Sequence, residues 1–339
     1  MPAQKRQTQS THPRTIGILI VNTGTPETPK PEAVRRFLAQ FLADPKVINY
    51  PRWLWLPLLH GVILRVRPRR SAQLYRRIWT EAGSPLLLGT DSLAAKIEVA
   101  LTPELDLPVR VVAGMRYGEP SIPAALSQLR AHGVRRILIL PLFPQYSGTT
   151  TGTILTAVFD ELHTWFEVPA LTIIRDYHNQ PAYIRTLAEN IRNHMTETSH
   201  LLFSFHGIPR SYGEAGDPYE SQCQETAVLV AQALDLDFER WSLSFQSRFG
   251  PQEWLTPYTD EEFSRIGREK VSGLNVVCPG FAVDCLETLE EIAHQGAQTF
   301  QNAGGGVFNY IPALNDHPHH VDALSEIILS HLREGALWN

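Results

Sequence analysis

His206 ends an apolar run, His200 to Phe205, and is followed at once by Gly207, Ile208 and Pro209 and then by a polar loop. An imidazole in that place suits proton transfer near neutral pH, because histidine is the side chain whose ordinary pKa lies closest to 7. Downstream, the segment CPGFAVDCLETLEEIAHQGAQTF sets Asp284, Glu287, Glu291 and Gln295 at i, i+3, i+7 and i+11, one face of a helix. Such a row has two readings. An exposed acidic face is the commoner one. The other is an acidic partner for the strand-end histidine, since this run also starts where a strand ends. Carboxylates that face one another raise each other's pKa, and imidazole with carboxylate suits Fe²⁺ or proton transfer.

The elements that must bring these groups together are legible as an alternation. Short apolar runs rich in β-branched residues, IGILIVN, VRVVAGM and RILILPL, then ALTIIRD, HLLFSF, RWSLSF and LNVVCP, alternate with helix-period segments. That is the signature of a parallel α/β architecture, and continuous apolar runs imply sheets covered on both faces. Two doubly wound domains follow. The strand ends also repeat in one order: NTGTP with FHGIP, MRYG with SRFG, LPLF with CPGF, which sets Thr23 where His206 stands. Ligands of such sheets bind outside the carboxyl ends of the strands, so the repeated ends locate a cleft between the halves.

The repeat fails informatively in one place. Thr23 and Arg116 are 93 positions apart, His206 and Arg248 only 42, so the first half carries about 51 extra residues there. The excess centres on VINYPRWLWLPLLHGVILRVRPRRSAQLYRRIW, aromatic, aliphatic and basic together. A lid or membrane-facing lip and a helix pair packed on the core are equally good readings of it.

Composition removes several classes. The chain of 339 residues has a formal net charge of -5 and a pI near 6.2, which gives no footprint for nucleic acid. The N-terminal MPAQKRQTQSTHPRT lacks an apolar run before a cleavage site, so a cytoplasmic protein is expected. The longest apolar stretch, Trp53 to Leu64, falls well short of the ~20 residues that span a bilayer. Cys223, Cys278 and Cys285 are odd in number and form no C-x-x-C pair, which argues against a disulfide framework or a thiolate cluster.

Taken together, SFHGIP, FQSRFGPQEWLTPYTDE, LFPQYSGTTTGT, NTGTP and CPGFAVDCLETLEE, spanning Asn22 to Glu291, resemble the ferrochelatase family, the class II chelatases that insert ferrous iron into a porphyrin. The resemblance implies a chelatase-like fold of two Rossmann-like domains with parallel four-stranded sheets. The boundaries expected are 14–160 for the first half, with its lip near 45–80, 161–316 for the second, and a C-terminal helix over 317–339 packing on the first. It implies protoporphyrin IX and Fe²⁺ as substrates and protoheme and two protons as products. By the same match His206 is the active-site histidine and Glu287 its acidic partner, with His206, Glu287, Asp284 and Glu291 handling metal and Gln295 standing where a third carboxylate often occurs. Thr23, Ser84, Arg116, Tyr117, Tyr146 and Trp254 fall at substrate-binding positions, and Arg67, Arg69 and Arg70 match a basic stretch near the propionates.

No tightly bound cofactor is implied. Where cluster-bearing relatives have a cysteine after QYS, this chain has Gly148, so no iron–sulfur cluster is expected. SGTTTGT could cradle an anion or simply cap a helix, and HPHH, His317 to His320 with His319 between, could bind metal or open the last helix. A coproporphyrin-specific enzyme and a non-catalytic two-lobed tetrapyrrole or metal binder share the same features. A nicotinamide enzyme does not, because NTGTPETP breaks the G-x-G-x-x-G turn it would need. Peripheral contact of the lip with a membrane surface is a further expectation, whereas the oligomeric state has no signal.

Overall fold

The computed structural model describes residues 15–195 and 199–336; the N-terminal segment read above as non-secretory and the last three residues lie outside the described residues. In chain order the first half runs β1 (Ile16–Gly24), α1 (Pro31–Ala43), α2 (Arg52–Leu58), a π-helical turn (Leu59–Ile63), α3 (Leu64–Ile78), α4 (Pro85–Leu101), β2 (Val109–Tyr117), α5 (Ile122–Ala131), β3 (Arg136–Pro141), α6 (Thr151–Leu162) and β4 (Ala170–Ile173). The second runs α7 (Pro181–His194), β5 (His200–His206), α8 (Arg210–Glu214), α9 (Tyr219–Ala233), β6 (Trp241–Gln246), α10 (Thr259–Arg268), β7 (Gly273–Val277), a π-helix (Glu287–Gly296), α11 (Ala297–Asn302), β8 (Val307–Ile311) and α12 (Pro318–Ala336).

Each half holds a four-stranded parallel sheet, in the orders β2-β1-β3-β4 and β6-β5-β7-β8. The orders are the same once the second half is renumbered, which accounts for the repeated strand-end tags. One boundary needs correction. ALTIIRD, read as opening the second half, supplies β4, which pairs in parallel with β3 and closes the first sheet, so the division lies after Ile173 and not at 160. Four half-exposed residues carry no mark of which sheet they join; the repeat does, since β8 completes the second sheet in the equivalent position.

The central strands are continuous apolar runs because both faces are covered: every residue of β7 is buried, as are all but the ends of β5. One core cluster includes Ile18 and Ile20 of β1, Leu93 and Ile97 of α4, Phe203 and Phe205 of β5, and Leu324 and Ile328 of α12. Both halves therefore share apolar packing, which fixes the walls of the cleft between them. In each sheet the chain runs outward from the first strand to one side and then returns to the other, so the crevice opens at the carboxyl ends of β1 and β3, and of β5 and β7. His206 lies at the end of β5 and the acidic segment follows β7. The two come together because they flank the same switch point.

His320, one of the histidines in HPHH, is fully buried at the start of α12. Its Nδ1–H donates to the Asn315 carbonyl at 2.6 Å, and burial pushes the imidazole down to about 4. The folded protein thus holds it neutral where the unfolded chain would take a proton near pH 6.5. Because the folded value is the lower one, the unfolded state binds the extra proton between those limits, and stability falls as pH drops through the window, by about 3 kcal/mol at pH 4. Urea midpoints between pH 7 and pH 4 should show His320→Leu with a shallower pH dependence than the parent; parallel curves would refute this source of acid lability.

Candidate active site

His206 is half-buried at the mouth of the crevice, and its Nδ1 lies 2.6 Å from the Gly207 carbonyl oxygen. A carbonyl can only accept, so Nδ1 carries the hydrogen and the Nε2 lone pair is left for a base to use. Gly207 has a packing reason. A Cβ there would come within 3.0 Å of the Gln246 carbonyl oxygen and 3.1 Å of the Trp254 ring.

Glu291 faces the same space. Ser247, held at φ 68°, donates its backbone N–H to one Glu291 oxygen at 2.7 Å and its hydroxyl to the other at 2.5 Å. A left-handed serine is uncommon, and here it turns both donors onto one carboxylate. Burial raises the Glu291 pKa above the ordinary carboxylate value; the Ser247 hydrogen bonds and the nearby His206 pull it down, and Glu287 pushes it up. Glu287 lies one turn earlier in the π-helix, where Gln246 Nε2 donates to its backbone carbonyl at 3.0 Å. Its carboxylate adds to the burial that raises the Tyr75 phenol, and together with Tyr75 it opposes the burial that lowers the Arg67 guanidinium. His206, Glu291, Glu287 and the lip residues Arg67 and Tyr75 thus form one electrostatically linked string.

Beside it opens a cavity of about 420 Å³, walled by Leu54, Trp55, Leu58 and Ile63 of the lip on one side and Phe249 and Trp254 on the other. Pro209, Tyr212 and Arg67 also line it, and the Arg67 guanidinium lies 5.9 Å from the Phe249 ring centre. Trp254 is fixed by its indole N–H, which donates to the Phe249 carbonyl at 2.9 Å. A slot walled by aromatic and aliphatic groups with one cation suits a flat apolar ring bearing an anionic substituent.

Several expected site residues are used otherwise. The Asp284 carboxylate accepts from Tyr310 at 2.5 Å, Asn315 at 2.8 Å and Thr288 at 2.9 Å, so it anchors the entry to the π-helix. Among the described residues no three His, Cys, Asp or Glu side chains are gathered so as to hold a metal ion. Ser84 is buried and donates to Thr25, organising the loop after β1. Arg116 Nη2 and the Tyr117 hydroxyl both donate to Asp44, at 2.6 and 3.0 Å, and Arg116 lines a separate cavity with Asp160 and Glu161. Tyr146 lies with the Arg175 guanidinium 4.1 Å from its ring centre, and neither it nor the half-buried Thr23 lines the cavity. In SGTTTGT, the Ser147 hydroxyl and the Gly148 N–H both donate to Asp217, which leaves no open cradle formed by those two donors. Glu290, outside the row of Asp284, Glu287, Glu291 and Gln295, is buried and paired with Arg77. Tyr75 and Ser247 were the residues sequence reading passed over; Ser247 stood inside the SRFG tag, whereas nothing in the sequence marked Tyr75.

Two parallel sheets with a crevice at their shared switch points define a two-lobed chelatase architecture. SirB from Bacillus subtilis, solved with Fe³⁺, has that fold: TM-score 0.57 at 11% identity, over 94% of this chain and 95% of that one. A family model described as ferrochelatase matches residues 15–332. The ferrochelatase of Thioalkalivibrio sulfidiphilus is 49% identical over 95% of this chain and 88% of its own length, and that of Nitrosomonas europaea 46% over 94% and 88%. This chain belongs to the ferrochelatase family.

Proposed function

We propose that the protein inserts Fe²⁺ into protoporphyrin IX in this cavity, giving protoheme and two protons, with His206 as the first proton acceptor. The observation that carries the reading is the free Nε2 of His206 near the Ser247-bound carboxylate of Glu291, with Pro209 and Phe249, a few residues along from His206 and Ser247, lining the apolar cavity. Metallation replaces two pyrrole N–H protons by the cation. Their nitrogens point inward on a planar ring, so a base must approach the ring face. His206 Nε2 takes one proton there and becomes imidazolium; Glu291, whose pKa burial has raised, accepts it and relays it outward. Glu287, in contact with the same charge system, handles the second. The slot walls grip the macrocycle, and Arg67 meets a propionate.

Anaerobic mixing with Fe²⁺ and protoporphyrin, in parallel with coproporphyrin, tests this reading. The four-band free-base spectrum should give way to a two-band metalloporphyrin spectrum faster with protoporphyrin; no turnover with either ring would favour a binding protein, and faster coproporphyrin turnover would reassign the substrate.

We further propose that the lip meets a membrane surface. Among the described residues no helix is long and apolar enough to cross a bilayer. Trp53 is 76% exposed, and Val62 and Val66 stand out with it beside Arg65 and Arg69. Apolar groups that dip into an interface, with cations contributing about 1 kcal/mol each against anionic lipid, give a reversible contact. Trp55 and Leu59 are not part of it, since the Trp55 indole donates to the Leu42 carbonyl and Leu59 is buried. Replacing Trp53, Val62 and Val66 by Ser should cut sedimentation with anionic liposomes while leaving turnover of detergent-dispersed porphyrin near the parent's. Unchanged sedimentation would end the membrane reading.

A further inference from the structure

The helix that carries Glu287 and Glu291 is π-helical over all ten residues, Glu287–Gly296. Such helices are rare beyond single turns, so this one needs something to hold it. Hydrogen bonds in a π-helix run between residues five apart, which brings those side chains together. At 3.6 residues per turn the same pair would stand about 140° apart around an α-helix. Gln295 and Glu290 are such a pair, and Gln295 Nε2 donates to Glu290 Oε1 at 3.2 Å. The same oxygen accepts from Arg77 Nη1 at 2.6 Å. Arg77 sits in the last turn of α3, the lip helix that also carries Arg67 and Tyr75.

The burial is one-sided: the Glu290 side chain is 2% exposed and that of Arg77 55%. A carboxylate removed from water needs its donors, and losing one leaves an uncompensated charge. Gln295 reaches it only while residues 290 and 295 lie over one another. The pair of donors therefore favours the π form over the α form, and Arg77 ties that form to the lip.

We infer that Arg77, Glu290 and Gln295 form a latch that selects the π form of the active-site helix and so positions Glu287 and Glu291. None of the three lines the cavity; they are positioning residues. An α-helical register would rotate Glu291 relative to Glu287, so that one could not stay with Ser247 while the other stayed with Arg67 and Tyr75. The inference rests on the roles proposed above for those two carboxylates.

The test uses the full chain with Arg77→Met, Arg77→Lys and Gln295→Ala, read by steady-state Zn²⁺ insertion and by crystal structures of the variants. Gln295 is exposed, so its alanine variant should fold even if Arg77→Met does not. Arg77→Met and Gln295→Ala should each lower kcat about tenfold with porphyrin KM within about twofold, as expected for misplaced groups that do not bind the ring, while Arg77→Lys recovers most of the rate. The crystal structures should show segment 287–296 with bonds between residues four apart. A retained π pattern in Gln295→Ala overturns the latch whatever the rate. If instead the register shifts but Glu287→Gln proves as active as the parent, the latch stands and the catalytic role of the helix is what fails.

Discussion

His206→Ala should lower the rate of metal insertion by roughly 10²–10⁴-fold, the range that a positioned general base contributes, while the protein still folds and still binds porphyrin. Folding should survive because the imidazole is half-buried at the end of β5, outside the packed layers, and its Nδ1–H donates to the carbonyl of its own neighbour. Porphyrin binding should survive because the cavity walls are set by the lip, Phe249 and Trp254. Circular dichroism and quenching of protein fluorescence by titrated porphyrin check the two conditions, and single-turnover Zn²⁺ insertion reads the rate. Turnover close to the parent's would mean that another group accepts the pyrrole proton.

Glu287→Gln should be the second large loss, about ten- to a hundredfold in kcat, because it removes a charge and a proton acceptor from a linked string while keeping side-chain size. The proper comparison is Glu326→Gln, on α12 in an exposed pair with Arg185. Glu290→Gln, though close by in the chain, is an unsuitable comparison, since that residue is buried against Arg77. Equal losses at Glu287 and Glu326 would remove Glu287 from the mechanism.

The strand-end tags made the architecture legible: their repeated order foretold two sheets of one topology, and the switch-point rule then placed His206 beside the segment after β7. The insertion between the first two tags was equally visible as an excess of length. Leu59, Leu64 and Tyr75 pack on α1, as the core-packed reading has it, whereas Trp53 and Val66 stay exposed. What the sequence hid were local choices among polar partners. Asp284 has the same i+3 relation to Glu287 that an α-helical face requires, but it precedes the helix and is captured by Tyr310 and Asn315. Glu290, outside the acidic row, is buried against Arg77 of the lip, a partner that no spacing in the segment announces. Arg116 and Tyr117 were drawn to Asp44, a residue with no motif to announce it.

Chemical rescue of the His206→Ala variant tests the central claim most directly, because it asks whether the missing group is a base or a prop. With porphyrin bound and Zn²⁺ added, free imidazole should restore the two-band metalloporphyrin spectrum in a saturable manner, and N-methylated or bulkier imidazoles should do so less well as they outgrow the space beside Ser247 and Glu291. The parent should show no such acceleration. A variant that stays inactive at every imidazole concentration, while binding porphyrin as the parent does, would contradict the assignment of His206 Nε2 as the acceptor of the pyrrole proton.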